Sequence, residues 1–152
     1  MDCIVRPLTS ADLAEWRRMR FALWPHMTAS EFESESAAIL AGEAHDHVFV
    51  AQGPEGSLCG FAEVSLRDVA EGCETRGVGY LEGLWADPDA RQRGVARALV
   101  GAAEDWARAK GCCEFASDTE IGNERSIAVH GRLGFEEVGR IVVFRKSIDG
   151  PG

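Results

Sequence analysis

The sequence predicts one mixed α/β domain, a sheet with helices on its faces, from three observations. Strand-like and helix-like segments alternate in the order βααβββαβαβ along 152 residues. Neither an internal repeat nor a linker divides them. A chain of this length buries about two-thirds of the surface that its unfolded form exposes, enough for a single core. The domain is expected over residues 1–147, with "IDGPG" (148–152) as a disordered tail because it carries no structural signal.

The elements follow from local pattern. "CIVRPL" (3–8) reads as a short strand, and "TSADLAEWRRMRFALW" (9–24) as a helix. Ser10 is its expected N-cap, Leu13, Trp16, Met19, Arg20 and Leu23 recur at helical spacing, and Pro25 ends it. A second helix is expected from about Ser30 to Leu40 with Gly42 as its stop, carrying Glu31, Glu33 and Glu35 in its first turns. "HVFVAQ" (47–52) and "SLCGFAEVSLR" (57–67) form a strand pair across the turn "GPEG". After a loop, "VGYLEGLWA" (78–86) alternates as a strand should. From about Gly94 to Lys110 the apolar spacing of three and four residues predicts the longest helix, closed by Gly111. "CCEFASD" (112–118) reads as a buried strand, "NERSIAVHGRL" (123–133) as a short helix stopped at Gly134, and "FEEVGRIVVFRKS" (135–147) as a final strand pair or bent strand.

Composition narrows the function. A net charge of −9 disfavours nucleic acid or an anionic membrane as partner and favours a cationic ligand. The five cysteines include no C-x-x-C pair, which points to reduced thiols in a cytosol. No apolar run reaches the ~20 residues of a membrane span. "MDCIVRPL" lacks the basic and apolar regions of a secretory leader, so a cytoplasmic protein is expected. His45 and His47 have no third ligand at useful spacing, so no metal is expected.

Against this acidity "RQRGVAR", Arg91–Arg97, stands out. A strand stops at Pro88 and Gly94 opens a helix, whose leading N–H groups and positive dipole end make an anion cradle. Gly94 lets the backbone approach the anion, Ala96 is small, and Arg91, Arg93 or Arg97 can add charge. The Lys-Ser/Thr pair of a P-loop is missing, so pyrophosphate fits better than a magnesium-bound triphosphate. A solvated arginine-rich helix start is the alternative.

"RQRGVA" after a strand, Asn123 opening a later helix and Leu133-Gly134-Phe135 ending it together resemble the Gcn5-related N-acetyltransferase superfamily. The resemblance spans almost the whole chain. It implies the acyl-CoA N-acyltransferase fold: a mostly antiparallel sheet with one parallel, splayed strand pair, here "GLWA" and "CCEFASD", and helices on both faces. It also implies acetyl-CoA as co-substrate. The pantetheine would pair with backbone at Leu84, Trp85 and Ala86, the pyrophosphate would sit on Gln92, Arg93, Gly94, Val95, Ala96 and Arg97, and Asn123 would contact the cofactor.

Superfamily membership leaves the acceptor open. An amine attacks a thioester only as the free base, and a lysine-like amine has a pKa near ~10. A neighbouring carboxylate both binds its cation and removes its proton. Glu82 in "YLEGLW" and Asp118 in "ASDT" are the candidates, with a solvated strand residue and a turn cap as the plainer readings.

A finer resemblance, carried by "LWPH", "EGC", "YLEG", "RQRGVA", "ASDT" and "VHGRLGFEE", is to dimeric bacterial aminoglycoside 6′-N-acetyltransferases. It implies a homodimer and a polycationic acceptor, with Trp24 and His26 at the rim of the drug site and Glu82 and Asp118 on its amines. Glu31, Glu33 and Glu35 would deepen the negative field or form a solvated face. Val69, Gly139 and Phe144 depart from that subgroup, where an aromatic, an acid and a tyrosine are expected. His130 stands where many members place a tyrosine acid, and Tyr80 shares a strand face with Glu82. Two other readings remain open: acetylation of a polyamine or protein N-terminus, and a CoA-binding regulatory module without turnover.

Overall fold

A computed structural model describes residues 3–150, which divide into two compact units, one up to Asp118 and one from Thr119. Pro151 and Gly152 of the expected tail lie outside the described residues.

The first unit is a five-stranded sheet in the order β1 (Ile4–Pro7), β2 (His47–Gln52), β3 (Leu58–Arg67), β4 (Val78–Ala86), β5 (Phe115–Ser117). The first four strands pair antiparallel, and β4 and β5 run parallel. Helices α1 (Leu13–Leu23) and α2 (Ala29–Leu40) connect β1 to β2, and α3 (Val95–Ala109) connects β4 to β5. Neighbouring residues of β3 reveal the two covered faces: Gly60 lies beneath Val95 and Leu99 of α3, whereas Phe61 meets Trp24 beyond the end of α1. On the α1 side the core gathers Trp16, Met19, Phe32, Val48, Val50, Leu58 and Phe61. No helix among the described residues is long and apolar enough to cross a membrane.

The caps fall one or two residues earlier than the sequence suggests. Before α1 a 3-10 turn spans Ser10–Asp12, so Thr9, and not Ser10, opens the segment. The Asp12 carboxylate accepts from the Thr9 N–H at 2.8 Å and from its hydroxyl at 3.0 Å. Arg6 donates to both Asp12 oxygens, at 2.8 and 2.9 Å. Helix α2 starts at Ala29 because Thr28 and Glu31 form a reciprocal capping box.

The Arg6 hydrogen bonds hold Asp12 below its ordinary 3.8, at about 2. A carboxylate depressed in the folded state stabilises fully above its unfolded pKa and loses that contribution as pH falls through the folded one. Asp12→Asn should therefore lower stability at pH 7 and flatten the decline between about pH 4 and pH 2, read from urea midpoints across that range.

The second unit holds α4 (Glu124–Arg132), opened by Asn123. The strand expected over 135–147 does not form: among the described residues no regular element follows α4. Ile141, Val142, Val143 and Phe144 are 67 to 88% exposed. The segment is rich in β-prone residues, but an extended segment becomes a strand only when a neighbouring edge takes its hydrogen bonds.

Candidate active site

Strand β4 makes the site because its two neighbours leave it at different points. It pairs with β3 along its length, but with β5 only at Gly79–Leu81 opposite Phe115–Ser117. From Glu82 to Ala86 its other edge therefore has no strand beside it among the described residues, and presents a row of main-chain groups to a ligand. Leu84, Trp85 and Ala86, the expected pantetheine contacts, lie on this stretch.

The pairing with β3 slips at the same place. Glu63 opposes Gly83 and Val64 opposes Leu81, so Glu82 is the extra residue of a β-bulge. Regular alternation would send Glu82 and Gly83 to opposite faces. Instead both face α1: Glu82 accepts from Ser65 Oγ at 2.5 Å and pairs with Arg67, while Gly83 lies under Trp24. A Cβ at Gly83 would stand 2.6 Å from two carbons of the Trp24 ring, so only glycine admits the indole here. The bulge thus brings a carboxylate and an aromatic plane together beside the open edge of β4.

Trp24 closes one side of a pocket of about 370 Å³, lined also by Arg20, His26, Met27, Glu31 and Glu35. Beneath it Arg20, 4% exposed, donates to both oxygens of Glu63, 1% exposed, at 2.6 and 2.9 Å. Arg20 also donates to Glu35 at 2.6 Å, and its guanidinium lies 5.0 Å from the Trp24 ring. One cation ties α1, α2 and β3 together and supports the pocket's aromatic wall. Burial pulls Arg20 down, but its two carboxylate partners more than reverse this and leave it raised.

The two predicted acids are joined through β3 and β4. Arg67 donates to both Glu82 oxygens, and its guanidinium lies 3.5 Å from the centroid of the Tyr80 ring. The Tyr80 hydroxyl in turn donates to Asp118. Burial first, and then the Asp118 carboxylate, push the Tyr80 hydroxyl well above its ordinary range. Tyr80 is therefore a poor acid, and its bond serves to fix Asp118.

The anion cradle has the expected backbone. Gly94 caps α3 with φ 86°, and Gln92 also has positive φ, 63°. The helical ladder begins with the Ala98 N–H donating to Gly94, so the N–H groups of Val95, Ala96 and Arg97 precede it. Arg93 is exposed beside them. Arg91 is turned back instead: its Nε donates to the Ala86 carbonyl at 2.9 Å and its guanidinium lies 4.9 Å from the Trp85 ring, fixing the end of β4. Gly94→Val should raise the KM for acetyl-CoA about tenfold, the weight of ~1.4 kcal/mol of left-handed strain, while the KM for the amine stays unchanged in steady-state kinetics.

In the second unit the Asn123 side-chain oxygen accepts from the Ser126 N–H at 3.1 Å, so it caps α4. His130 Nδ1 lies 2.7 Å from the Ser126 carbonyl, and its ring is 5.1 Å from that of Phe135. Val69 and Phe144, two of the departing positions, are exposed. Arg20, Glu63, Ser65, Arg67 and Gly83 were not singled out in the sequence as site residues. Only Gly83, inside a strand, carries a local signal of close approach.

A family model described as "Acetyltransferase (GNAT) family" matches residues 11–135. Aminoglycoside N(6′)-acetyltransferase type 1 of Klebsiella aerogenes is 46% identical over 95% of this chain and 97% of its own. The enzyme of the same name from Serratia marcescens is 41% identical over 90% and 94%. Among solved structures, AAC(6′)-Iy in complex with the bisubstrate analogue CoA-S-monomethyl-acetylneamine superposes with TM-score 0.91 at 37% identity, covering 97% of this chain and 99% of that one. With β4 splayed from β5, the glycine-capped cradle after β4 and these likenesses over nearly its full length, the chain belongs to the GNAT acetyltransferase family, among the aminoglycoside 6′-N-acetyltransferases.

Proposed function

We propose that this protein transfers the acetyl group of acetyl-CoA to the 6′-amine of an aminoglycoside, giving resistance to the drug. The observation that carries this reading is the bulge that sets Glu82 beside both the open edge of β4 and Trp24. Acetyl-CoA supplies the acetyl thioester. The N–H groups preceding the α3 ladder and Arg93 hold its pyrophosphate, and the β4 backbone at Leu84–Ala86 takes the pantetheine and polarises the carbonyl. Trp24 and His26 frame the acceptor, and Glu31 and Glu35 draw in its other cations. Glu82 binds the ammonium and removes its proton, and Asp118 makes the second amine contact.

Attack within a ternary complex fits the cysteines. Burial pushes the Cys59 and Cys73 thiols up, away from nucleophilic thiolate. One domain over residues 1–147, working as a homodimer in the cytoplasm, completes the reading. The exposed apolar run Ile141–Phe144 supports the dimer, because a second copy would cover it.

Free-thiol release from acetyl-CoA tests the acceptor. Release is expected with kanamycin and none with a 6′-hydroxyl counterpart or spermidine. Release with spermidine alone would assign a polyamine, and stabilisation by CoA without any release would indicate a regulatory module.

A further inference from the structure

The carboxylate assigned to the acceptor's amine already holds a cation. Arg67 donates from Nε at 3.0 Å and from Nη2 at 2.7 Å to the two Glu82 oxygens, and the guanidinium stacks on Tyr80, which bonds Asp118. A positive group of this chain therefore pairs with one of the two acids and stacks on the tyrosine that holds the other.

We propose that Arg67 is a further residue of the acceptor site: with no acceptor bound, its guanidinium holds the place of the acceptor's ammonium group, and the amine displaces it from Glu82. The proposal rests on the acceptor reading of Glu82 above.

Two observations favour displacement over a fixed structural pair. Arg67 is the last residue of β3 and its side chain is 43% exposed, so it can swing into water without unpacking the core. The contrast is Arg20, 5% exposed at its side chain and enclosed by Glu63, Trp16 and Trp24. Water screens the part-exposed pair, and a second cation on Glu82 restores the charge pairing that the first gives up. An ammonium leaves Glu82 paired, whereas a neutral hydroxyl cannot replace the charge of the guanidinium and meets the pair intact.

Arg67→Gln, compared with Arg67→Lys and wild type, tests this. Kanamycin binding to each CoA complex is measured by calorimetry, and KM and kcat by thiol release. In the glutamine variant Kd and KM for kanamycin should fall about two- to fivefold with kcat within about twofold, and the 6′-hydroxyl counterpart should gain less. Lysine, which keeps the charge, should stay near wild type. A rise in KM, or a tenfold loss of kcat at unchanged KM, would show Arg67 orienting Glu82 and overturn displacement. Unchanged Kd and KM with normal turnover would overturn it alone, whereas absence of thiol release by wild type would overturn the acceptor reading beneath it.

Discussion

Glu82→Gln is expected to lower kcat about a hundredfold or more, the loss usual when a positioned general base is removed. The amide keeps the volume and can still accept from Ser65, so the bulge and Trp24 should stay in place. What disappears is the charge proposed to hold an ammonium and the oxygen proposed to take its proton. The KM for the amine should also rise, because a cation bound to a carboxylate becomes a cation beside a dipole. Asp118→Asn should cost less, since Asp118 is fixed by Tyr80 as a second contact. If Asp118→Asn costs more than Glu82→Gln in single-turnover kinetics, the base is Asp118 and the roles must be exchanged.

Glu63→Ala should destabilise the fold by about 3–5 kcal/mol, because it leaves the Arg20 guanidinium buried without its main partner. In a domain of this size that lowers Tm by roughly 10 °C. Burial pushes the Glu63 carboxyl up against the pull of Arg20, so the pair is held by close geometry rather than by an easy environment. A double replacement, Arg20→Met with Glu63→Leu, should recover most of the stability, as apolar substitutes for buried pairs do. It should not recover the acceptor site, because Trp24 and Glu35 would lose the cation that ties them to β3. Recovery of Tm with a raised KM for kanamycin would separate the two roles.

These two positions show what the sequence could and could not disclose. Glu82 stands out in the sequence because amine chemistry asks for a carboxylate, and this one lies two residues before the backbone proposed to take the cofactor. The geometry of Glu82 does not, since a bulge is a property of two paired strands and β4 alone reads as plain alternation. Glu63 lies within a strand of mostly apolar residues and its partner stands 43 positions earlier on α1, so neither residue signals the other. The same holds for Arg67 and Glu82, on neighbouring strands. The glycine-capped entrance of α3 was legible because a helix cap after a strand is local. Local sequence names the charge of Arg91 but not the Ala86 carbonyl that its Nε meets, which belongs to the end of the sheet. The C-terminal segment shows the opposite limit. Its β-prone residues are evident, yet strand formation depends on an edge that its own unit lacks.

The most direct test of the account is the product itself. The protein is incubated with acetyl-CoA and kanamycin, and the site of acetylation is located by two-dimensional NMR after mass spectrometry. One added acetyl group is expected, on the 6′-nitrogen. Acetylation at another amine or at a hydroxyl, or unmodified drug recovered after acetyl-CoA binding has been verified, would contradict it.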